Sequence, residues 1–594
     1  RFEGDQGIDA TSGGSSTSPP VASGSTTSDE GPATTGPGAT TTTTSPATTS
    51  TTTTTADTTK TTDRVVLTTG HSATVRVDDV SYAVDDRTLL HPTSLSIDAG
   101  EIVGIAGGSG AGKTTLVEII AGVRNPSSGR VQRHDVAAFV PQDDIIHREL
   151  PLRQTLLHTA ALRMAGADAH ERTAAVDHAL RRLDLDTQRN VAVGDLSGGQ
   201  RKRASLAAEM LTDPSLCVLD EPTSGLDPAN AAELMRALRR LADGGSTVVV
   251  ATHSPADLTS CDRVVFIARG GHVAFVGRPV DAPAHFGVNN VTEVYERLND
   301  WPASGDEVSA VEATAPTVDA PTATGSTGPR QWLGLVRRNI DLIKGNRLTL
   351  SILVGSPVFI IGTMTFLFPT GAFDGDAPTI DLAIQTLFWM AFNSFFFGLT
   401  YGLLQVVGEF EIVRRERRAG LRIGAYVASK LAVLLPMLAA VNIAQITMLE
   451  AAGRLPDMDI GQWVGVFVSL QLLSTAAVVL GLHASSAVHN ASQATLALPM
   501  LCFPQVLFAG AVVPVSQMGW FAEAMSVPLA VRWAFEPLGN ILELGPRAAQ
   551  EASTAGFAEA FDGHPGVGWT ILVALIAGGT VGTIRTLQRR TATR

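Results

Sequence analysis

The chain is 594 residues long, carries a formal net charge of −13 and is 44% apolar. It is too long for one domain. The acidic balance excludes nucleic acid as the partner, because displacing counterions from phosphates needs a basic face. Three cysteines, Cys217, Cys261 and Cys502, none in a stretch read below as facing the outer side of a membrane, imply no disulfide framework.

Residues 1–63 are mostly Ser, Thr, Gly, Pro and Ala, with runs at Thr40–Thr44 and Thr51–Thr55. Such a segment cannot bury enough apolar surface to offset chain entropy, so it is expected to be disordered. It reads as a spacer, or as phosphoacceptor threonines for a Ser/Thr kinase. The chain begins at Arg1, and no cleavable signal peptide is visible.

Residues 64–302 read as an α/β domain. Ile102–Ile105, Leu216–Leu219 and Thr247–Ala251 look like buried parallel strands, and 170–184 and 229–242 like helices between them. After the first strand come Gly107, Gly108, Ser109, Gly110, Ala111, Gly112, Lys113, Thr114 and Thr115. Glycines there let backbone N–H groups turn inward around phosphates, and a following helix adds its positive end. Lys113 is expected to reach the β- and γ-phosphates of ATP, and Thr114 to hold Mg²⁺. The second strand ends in Asp220-Glu221. A carboxylate at the tip of a buried strand is costly without a cation, so Asp220 is expected to be a second Mg²⁺ partner. Glu221 is then placed to orient or deprotonate the attacking water. His253, after the third strand, is expected at the γ-phosphate.

Residues 303–329 look like a linker, and 330–347, with basic and apolar residues at helical spacing, like an interfacial helix on the cytoplasmic membrane face. Six apolar stretches follow, near 349–368, 383–407, 425–449, 460–482, 491–513 and 566–585, each long enough to span a bilayer. Arg414, Arg415, Arg417, Arg418 and Arg422 follow the second stretch, and Arg589, Arg590 and Arg594 follow the last. Asp374, Asp376, Asp457 and Asp459 lie on the other side, so the positive-inside rule puts the α/β domain and both termini in the cytoplasm. Residues 514–565 are the longest outer loop in this reading. Asn393, Asn442, Gln445, Gln471 and Gln493 are either cargo contacts or interhelical hydrogen bonds.

In this order the motifs resemble those of ATP-binding cassette (ABC) proteins, over roughly residues 75–290. Tyr82 is similar to the aromatic that stacks on adenine. Gln142, in Val140-Pro141-Gln142-Asp143-Asp144, is similar to the glutamine that senses Mg²⁺ and contacts the membrane domain. Leu196-Ser197-Gly198-Gly199-Gln200 resembles the family signature, which implies that Ser197, Gly198, Gly199 and Gln200 cap a γ-phosphate held by a second subunit. Ser224-Gly225-Leu226-Asp227 resembles the loop linking the two sites.

An ATPase first and six spans second resembles the G (White) subfamily of half-transporters, as do Glu409–Ala425, similar to its coupling segment, and Pro528–Leu538, similar to the segment before its last span. A further likeness is to actinobacterial fusions in which forkhead-associated domains precede the cassette. What this implies is a P-loop α/β ATPase joined to an all-α six-helix membrane domain (330–594), working as a homodimer in the cytoplasmic membrane in contact with lipid. It would export an unidentified hydrophobic or lipid-linked substrate, with a kinase and a forkhead-associated domain as possible partners. The alternatives are a membrane-anchored ATPase transmitting force or signal, and a phospho-regulated platform.

Overall fold

The computed structural model describes residues 75–85, 87–133, 137–301, 328–373 and 380–592. The threonine-rich stretch 1–63, nearly all of the linker 303–329, and Asp374 and Asp376 lie outside the described residues. The chain divides into Arg1–Thr68, wholly outside them, and Thr69–Arg594, to which everything below applies.

The strands in chain order are β1 (Val75–Val84), β2 (Arg87–Ile97), β3 (Ile102–Gly107), β4 (Ser128–Arg133), β5 (Ala138–Val140), β6 (Leu216–Asp220), β7 (Thr247–Thr252), β8 (Arg263–Ala268) and β9 (His272–Gly277). An antiparallel sheet runs β2-β1-β4, and a larger sheet runs β5-β6-β7-β3-β8-β9. The larger sheet is parallel except where β9 meets β8. Every residue of β3, β6 and β7 is buried, which is why these runs are apolar throughout rather than alternating. Because β6, β7 and β3 are neighbours, their C-terminal ends bring three distant pieces of sequence side by side. In open α/β sheets that edge is where ligands sit.

Beyond the linker, helix Gly328–Gly345 leads into the bundle. Among the described residues, five helical stretches are long and apolar enough to cross a membrane: Arg347–Leu367, one that begins with helix Asp381–Leu403, Ile423–Ala451, Ile460–Ala487 and Pro565–Thr591. The stretch expected at 491–513 is shorter, a 17-residue helix, Ala491–Leu507. It rises about 25 Å at 1.5 Å per residue. Pro499 and Pro504 each remove a backbone donor inside it, and the chain turns at Gly510. The outer segment 514–565 is not an open loop. Its helix Arg532–Ile541 buries Ala534, Phe535 and Leu538 in the core of the membrane bundle.

The second and fourth of these stretches pack against each other at very short range. A Cβ on Gly398 or Gly402 would stand 2.4 Å from the carbonyl oxygen of Ser474 or Val478, so the helices meet backbone to backbone along a small-residue seam. Asn393, Asn442 and Gln471 are engaged within the bundle, while Gln445 keeps Oε1 without a partner and Gln493 is exposed at a helix start. Asn442 accepts from Ser394 Oγ at 2.9 Å and donates to Gln471 at 3.1 Å and Ser474 at 3.2 Å, while Gln445 donates to the Met390 carbonyl at 2.8 Å. Asn393 donates to Met364 Sδ, and Gln493 closes the turn begun by Asn490.

The helix expected at the membrane surface is more enclosed than a surface helix. Helix Gly328–Gly345 buries Gln331, Leu335, Arg338 and Asn339. Arg338, only 2% exposed, donates to Glu416 at 2.5 Å in helix Phe410–Arg418. Two unpaired charges at that depth would be untenable, so the pair fixes how the two helices dock.

Candidate functional site

The phosphate-loop motif joins β3 to helix Lys113–Ala121. Gly112 caps that helix with φ 98°, a conformation L side chains avoid, and a Cβ there would meet the Leu89 carbonyl oxygen at 2.7 Å. Ala111 N–H closes the loop on the Gly108 carbonyl at 3.3 Å. Ser109 and Gly110 face solvent, while Thr115 is buried at the helix start. The Lys113 ammonium, 5% exposed, donates to the Gly107 and Gly108 carbonyls at 3.0 Å each, so it sits in the mouth of the loop.

The end of β6 closes the site. Thr114 Oγ1 donates to Asp220 Oδ1 at 3.2 Å, uniting two of the three residues expected at Mg²⁺, the third being Gln142. Asp220 is 4% exposed. Burial pushes its carboxyl pKa up and Glu221 adds to this, against the Thr114 hydrogen bond and Lys113. A buried carboxylate answered mainly by a neutral hydroxyl is short of positive charge, so the pair fits a hard divalent cation with oxygen ligands. Glu221 follows at φ 44°, its N–H held by the Ala251 carbonyl at 2.9 Å. Three predicted residues converge on its carboxylate: His253 Nδ1 at 3.2 Å, Gln142 Nε2 at 3.5 Å and Lys113 Nζ at 3.7 Å.

Two predicted groups stand apart. Tyr82 on β1 packs against the cluster containing Ala111 and Leu116. One ring face lies under the Arg124 guanidinium at 4.9 Å, and its hydroxyl accepts from Arg124 at 2.9 Å. The signature starts helix Gly198–Met210, where Ser197 and Gln200 cap each other reciprocally. Among the described residues, no hydrogen bond or ion pair joins Ser197, Gly198, Gly199 or Gln200 to the phosphate loop. Asp227 caps helix Pro228–Asp243 through the N–H groups of Ala229 and Asn230 at 3.1 Å.

Sequence reasoning expected Gln142 to contact the membrane domain and 409–425 to be the coupling segment, but named none of the pairs that join them. Lys202 of the signature helix donates to the Gln142 carbonyl and pairs with Asp144 at 3.4 Å. One residue on, the Ile145 carbonyl accepts from Arg415 of helix Phe410–Arg418 at 2.5 Å. Arg415 also lies 3.9 Å from Glu209 of the signature helix, which Arg163 holds at 2.5 Å. The arginines after the second span were read for sidedness and as part of the coupling segment 409–425, without a partner for any one of them. The available signal was the burial face Ile412, Val413, Arg415, Glu416 at helical spacing.

The state of Asp220 gives a prediction. A carboxyl whose pKa is raised on folding holds its proton more tightly when folded. Ionisation therefore costs stability as pH rises from the unfolded value through the raised folded one, and a cation removes that cost. The Mg²⁺-dependent part of the thermal stabilisation by ATP is expected to shrink as pH falls through the raised range of Asp220. In Asp220→Asn it is expected to be small and independent of pH, as read by melting scans with and without Mg²⁺.

Residues 90–224 match the ABC transporter family and residues 330–541 the ABC-2 type transporter family. The chain is 33% identical over 516 residues to the ABC transporter ATP-binding/permease protein Rv1747 of Mycobacterium tuberculosis, covering 79% of this chain and 57% of that protein. ABC transporter G family member 25 of Arabidopsis thaliana is 36% identical over 228 residues, 35% of this chain and 34% of that protein. The solved structure of cbiO1 from Clostridium perfringens, part of the ABC transporter complex cbiONQ, is 29% identical, covers 35% of this chain and 90% of that one, and gives a TM-score of 0.33. The chain therefore spans 57% of the length of the first of these relatives and 34% of the second.

Proposed function

This chain belongs to the ABC transporters, its ATPase domain preceding its membrane domain, and we propose that it is one half of a dimeric, ATP-driven exporter. The membrane domain is multi-pass and the ATPase domain cytoplasmic. In this reading Lys113 and the loop amides hold the phosphates of ATP. Thr114 and Asp220, with Gln142 beside Glu221, would hold Mg²⁺, which when bound neutralises charge on the phosphates. Glu221 orients the attacking water and accepts its proton, and His253 fixes the rotamer of that carboxylate at 3.2 Å. Ser197 and the first amides of its helix face the γ-phosphate of the second copy. The cargo is taken to be hydrophobic or lipid-linked, since the polar groups of the bundle are largely engaged with one another.

The observation that carries the reading is the Ile145–Arg415 contact. It joins the segment beginning at Gln142, which touches Glu221, to the helix between the second and third membrane stretches. A change at the γ-phosphate thus has a short, rigid path to the membrane helices. The threonine-rich stretch 1–63 is taken as a tether open to Thr phosphorylation, with a forkhead-associated domain as its reader.

Cys502, half-buried in the fifth membrane-domain helix, is a reporter, because Cys217 and Cys261 are both buried. Maleimide labelling of Cys502 is expected to change when ATP and vanadate are added. In Arg415→Ala, ATP hydrolysis should persist while labelling no longer responds. Labelling that ignores nucleotide in the unmodified protein would refute the coupling. Cargo is sought by comparing lipid extracts of cells with and without the gene, then by ATP-dependent uptake into inside-out vesicles.

A further inference from the structure

Three arginines from two distant stretches of sequence meet at one small cavity with no acid to answer them. Helix Gly328–Gly345 lines one side of it. Helices Leu152–Arg163 and Ala169–Arg182 of the ATPase domain contribute to the other, and the volume is about 220 Å³. None of the residues proposed for the nucleotide site takes part in the lining.

The charge there is one-sided. Arg172, Arg330, Arg337 and Arg338 line the cavity, and no Asp or Glu does. Arg338 is already matched by Glu416. Among the described residues, the side chains of Arg172, Arg330 and Arg337 make no hydrogen bond or ion pair. Arg172 is half-buried and the other two are exposed, so a solute can reach all three. His158 Nε2 lies 3.1 Å from Asp341 Oδ2. Burial, then Arg338, lower the His158 pKa, so the imidazole brings no charge at neutral pH. Three like charges gathered without an acid repel one another, and an anion between them removes that repulsion.

The space between them is built into the sequence. Arg330, Gly334 and Arg337 stand at i, i+4 and i+7, on one face of their helix. Glycine is a poor helix former, and here packing does not ask for it, because a Cβ on Gly334 would meet nothing within 4 Å. The ATPase side contributes Ala161 and Ala165. Small residues on both sides thus leave a gap beside the arginines. At about 220 Å³ it falls below the range of about 300–1,000 Å³ usual for drug-sized ligands. That suits a compact anion rather than a nucleotide.

We propose that this cavity binds a phosphomonoester, its dianionic head held by Arg172, Arg330 and Arg337 over Gly334. Guanidinium forks match phosphate oxygens with paired hydrogen bonds. Three unanswered cations favour a dianion over the single charge of a phosphodiester. The phosphomonoester can be a soluble one or the head of phosphatidate in the inner leaflet, since the helix that carries Arg337 is followed, after Asn346, by the first membrane stretch. Bound there, it would tie the ATPase domain to helix Gly328–Gly345, whose Arg338 docks on Glu416 next to Arg415. The proposal does not need the chain to hydrolyse ATP or to move cargo.

The test uses the full chain in phosphatidylcholine nanodiscs, with a non-hydrolysable ATP analogue at saturation so that the phosphate loop is occupied. Glycerol 3-phosphate, titrated by calorimetry, is expected to bind saturably. Glycerophosphoglycerol, a diester, should bind about tenfold more weakly, the worth of one charge-assisted hydrogen bond. Replacing both Arg330→Gln and Arg337→Gln is expected to weaken glycerol 3-phosphate about a hundredfold. Gly334→Leu keeps every charge and favours the helix, yet should lose binding because its side chain fills the gap. Arg347→Gln, which removes a cation outside the lining, should bind as the unmodified chain does. Melting scans show whether each variant is folded. Nanodiscs that also hold equal phosphatidate and phosphatidylglycerol separate the two sources by native mass spectrometry. Phosphatidate retained and displaced by glycerol 3-phosphate supports the proposal with a lipid ligand. Glycerol 3-phosphate bound without retained phosphatidate supports it with a soluble one. Binding of neither, equal affinity for monoester and diester, or affinity unchanged in both Gly334→Leu and the double arginine variant overturns it. None of these measurements uses hydrolysis, so their failure is distinct from failure of the exporter reading.

Discussion

Glu221→Gln is expected to lower ATP turnover by about a hundredfold or more, the contribution of a positioned general base, while leaving nucleotide bound. The substitution is nearly isosteric. The backbone at residue 221 sits at φ 44°, held by the Ala251 carbonyl. A non-glycine residue in that region is strained by about 1–3 kcal/mol and persists only where its surroundings over-determine it. Gln imposes no new backbone demand, so the phosphate loop, Thr114 and Asp220 keep their places. What is lost is the negative charge on which His253, Gln142 and Lys113 converge. A closed, ATP-loaded dimer should accumulate. The check is single-turnover hydrolysis beside retention of labelled ATP. A variant that hydrolyses at the wild-type rate with normal binding would remove Glu221 from the chemistry.

The convergence of the residues proposed for the nucleotide site was legible because each part is local. A phosphate loop needs a strand, glycines and a helix start in one run, and the sheet order of β6, β7 and β3 sets Asp220, Glu221 and His253 beside it without any further choice. The three strands and the two helices between them fell where hydrophobic patterning put them, within a few residues. What was not legible depends on partners far apart in sequence. Arg338 and Glu416 are 78 residues apart, and Arg415 and Ile145 are 270 apart. Hydropathy treats each arginine as a cation for the membrane surface and cannot say which one turns inward. The outer segment misled for a related reason. Helix Arg532–Ile541 is amphipathic, and Arg532 pairs with Glu536 at 2.8 Å within its own helix. Its charges therefore advertise exposure while Phe535 and Leu538 are buried. The fifth stretch was drawn too long at its end, because an apolar run does not reveal that its helix stops at Leu507, before the turn at Gly510.

Mixing two inactive variants is expected to restore activity. Lys113→Ala disables the phosphate loop, and Ser197→Arg puts a bulky cation where the signature would meet the γ-phosphate of the other copy. Ser197 is exposed and spends its side chain capping its own helix, so its other face is free for a partner. Each homodimer has two damaged sites. In the mixed dimer, one composite site carries both lesions and the other carries neither. With random pairing in a two-fold dimer, half the dimers are mixed, and half of their sites are whole. Turnover should then reach about a quarter of the wild-type value if the sites act independently, and less if both must fire together. The arginine at 197 also breaks the reciprocal cap with Gln200, at a cost of about 1 kcal/mol, so ATP binding and thermal stability of Ser197→Arg are measured alongside to separate a local loss from unfolding. Coexpression with two different affinity tags isolates the mixed dimers directly. If tandem-purified mixed dimers are as inactive as either parent while both variants remain folded, no intact site forms across the interface. If Ser197→Arg is fully active on its own, the signature is not a lid for the second nucleotide. A wild-type monomer that turns over ATP at the full rate would remove the need for a partner altogether.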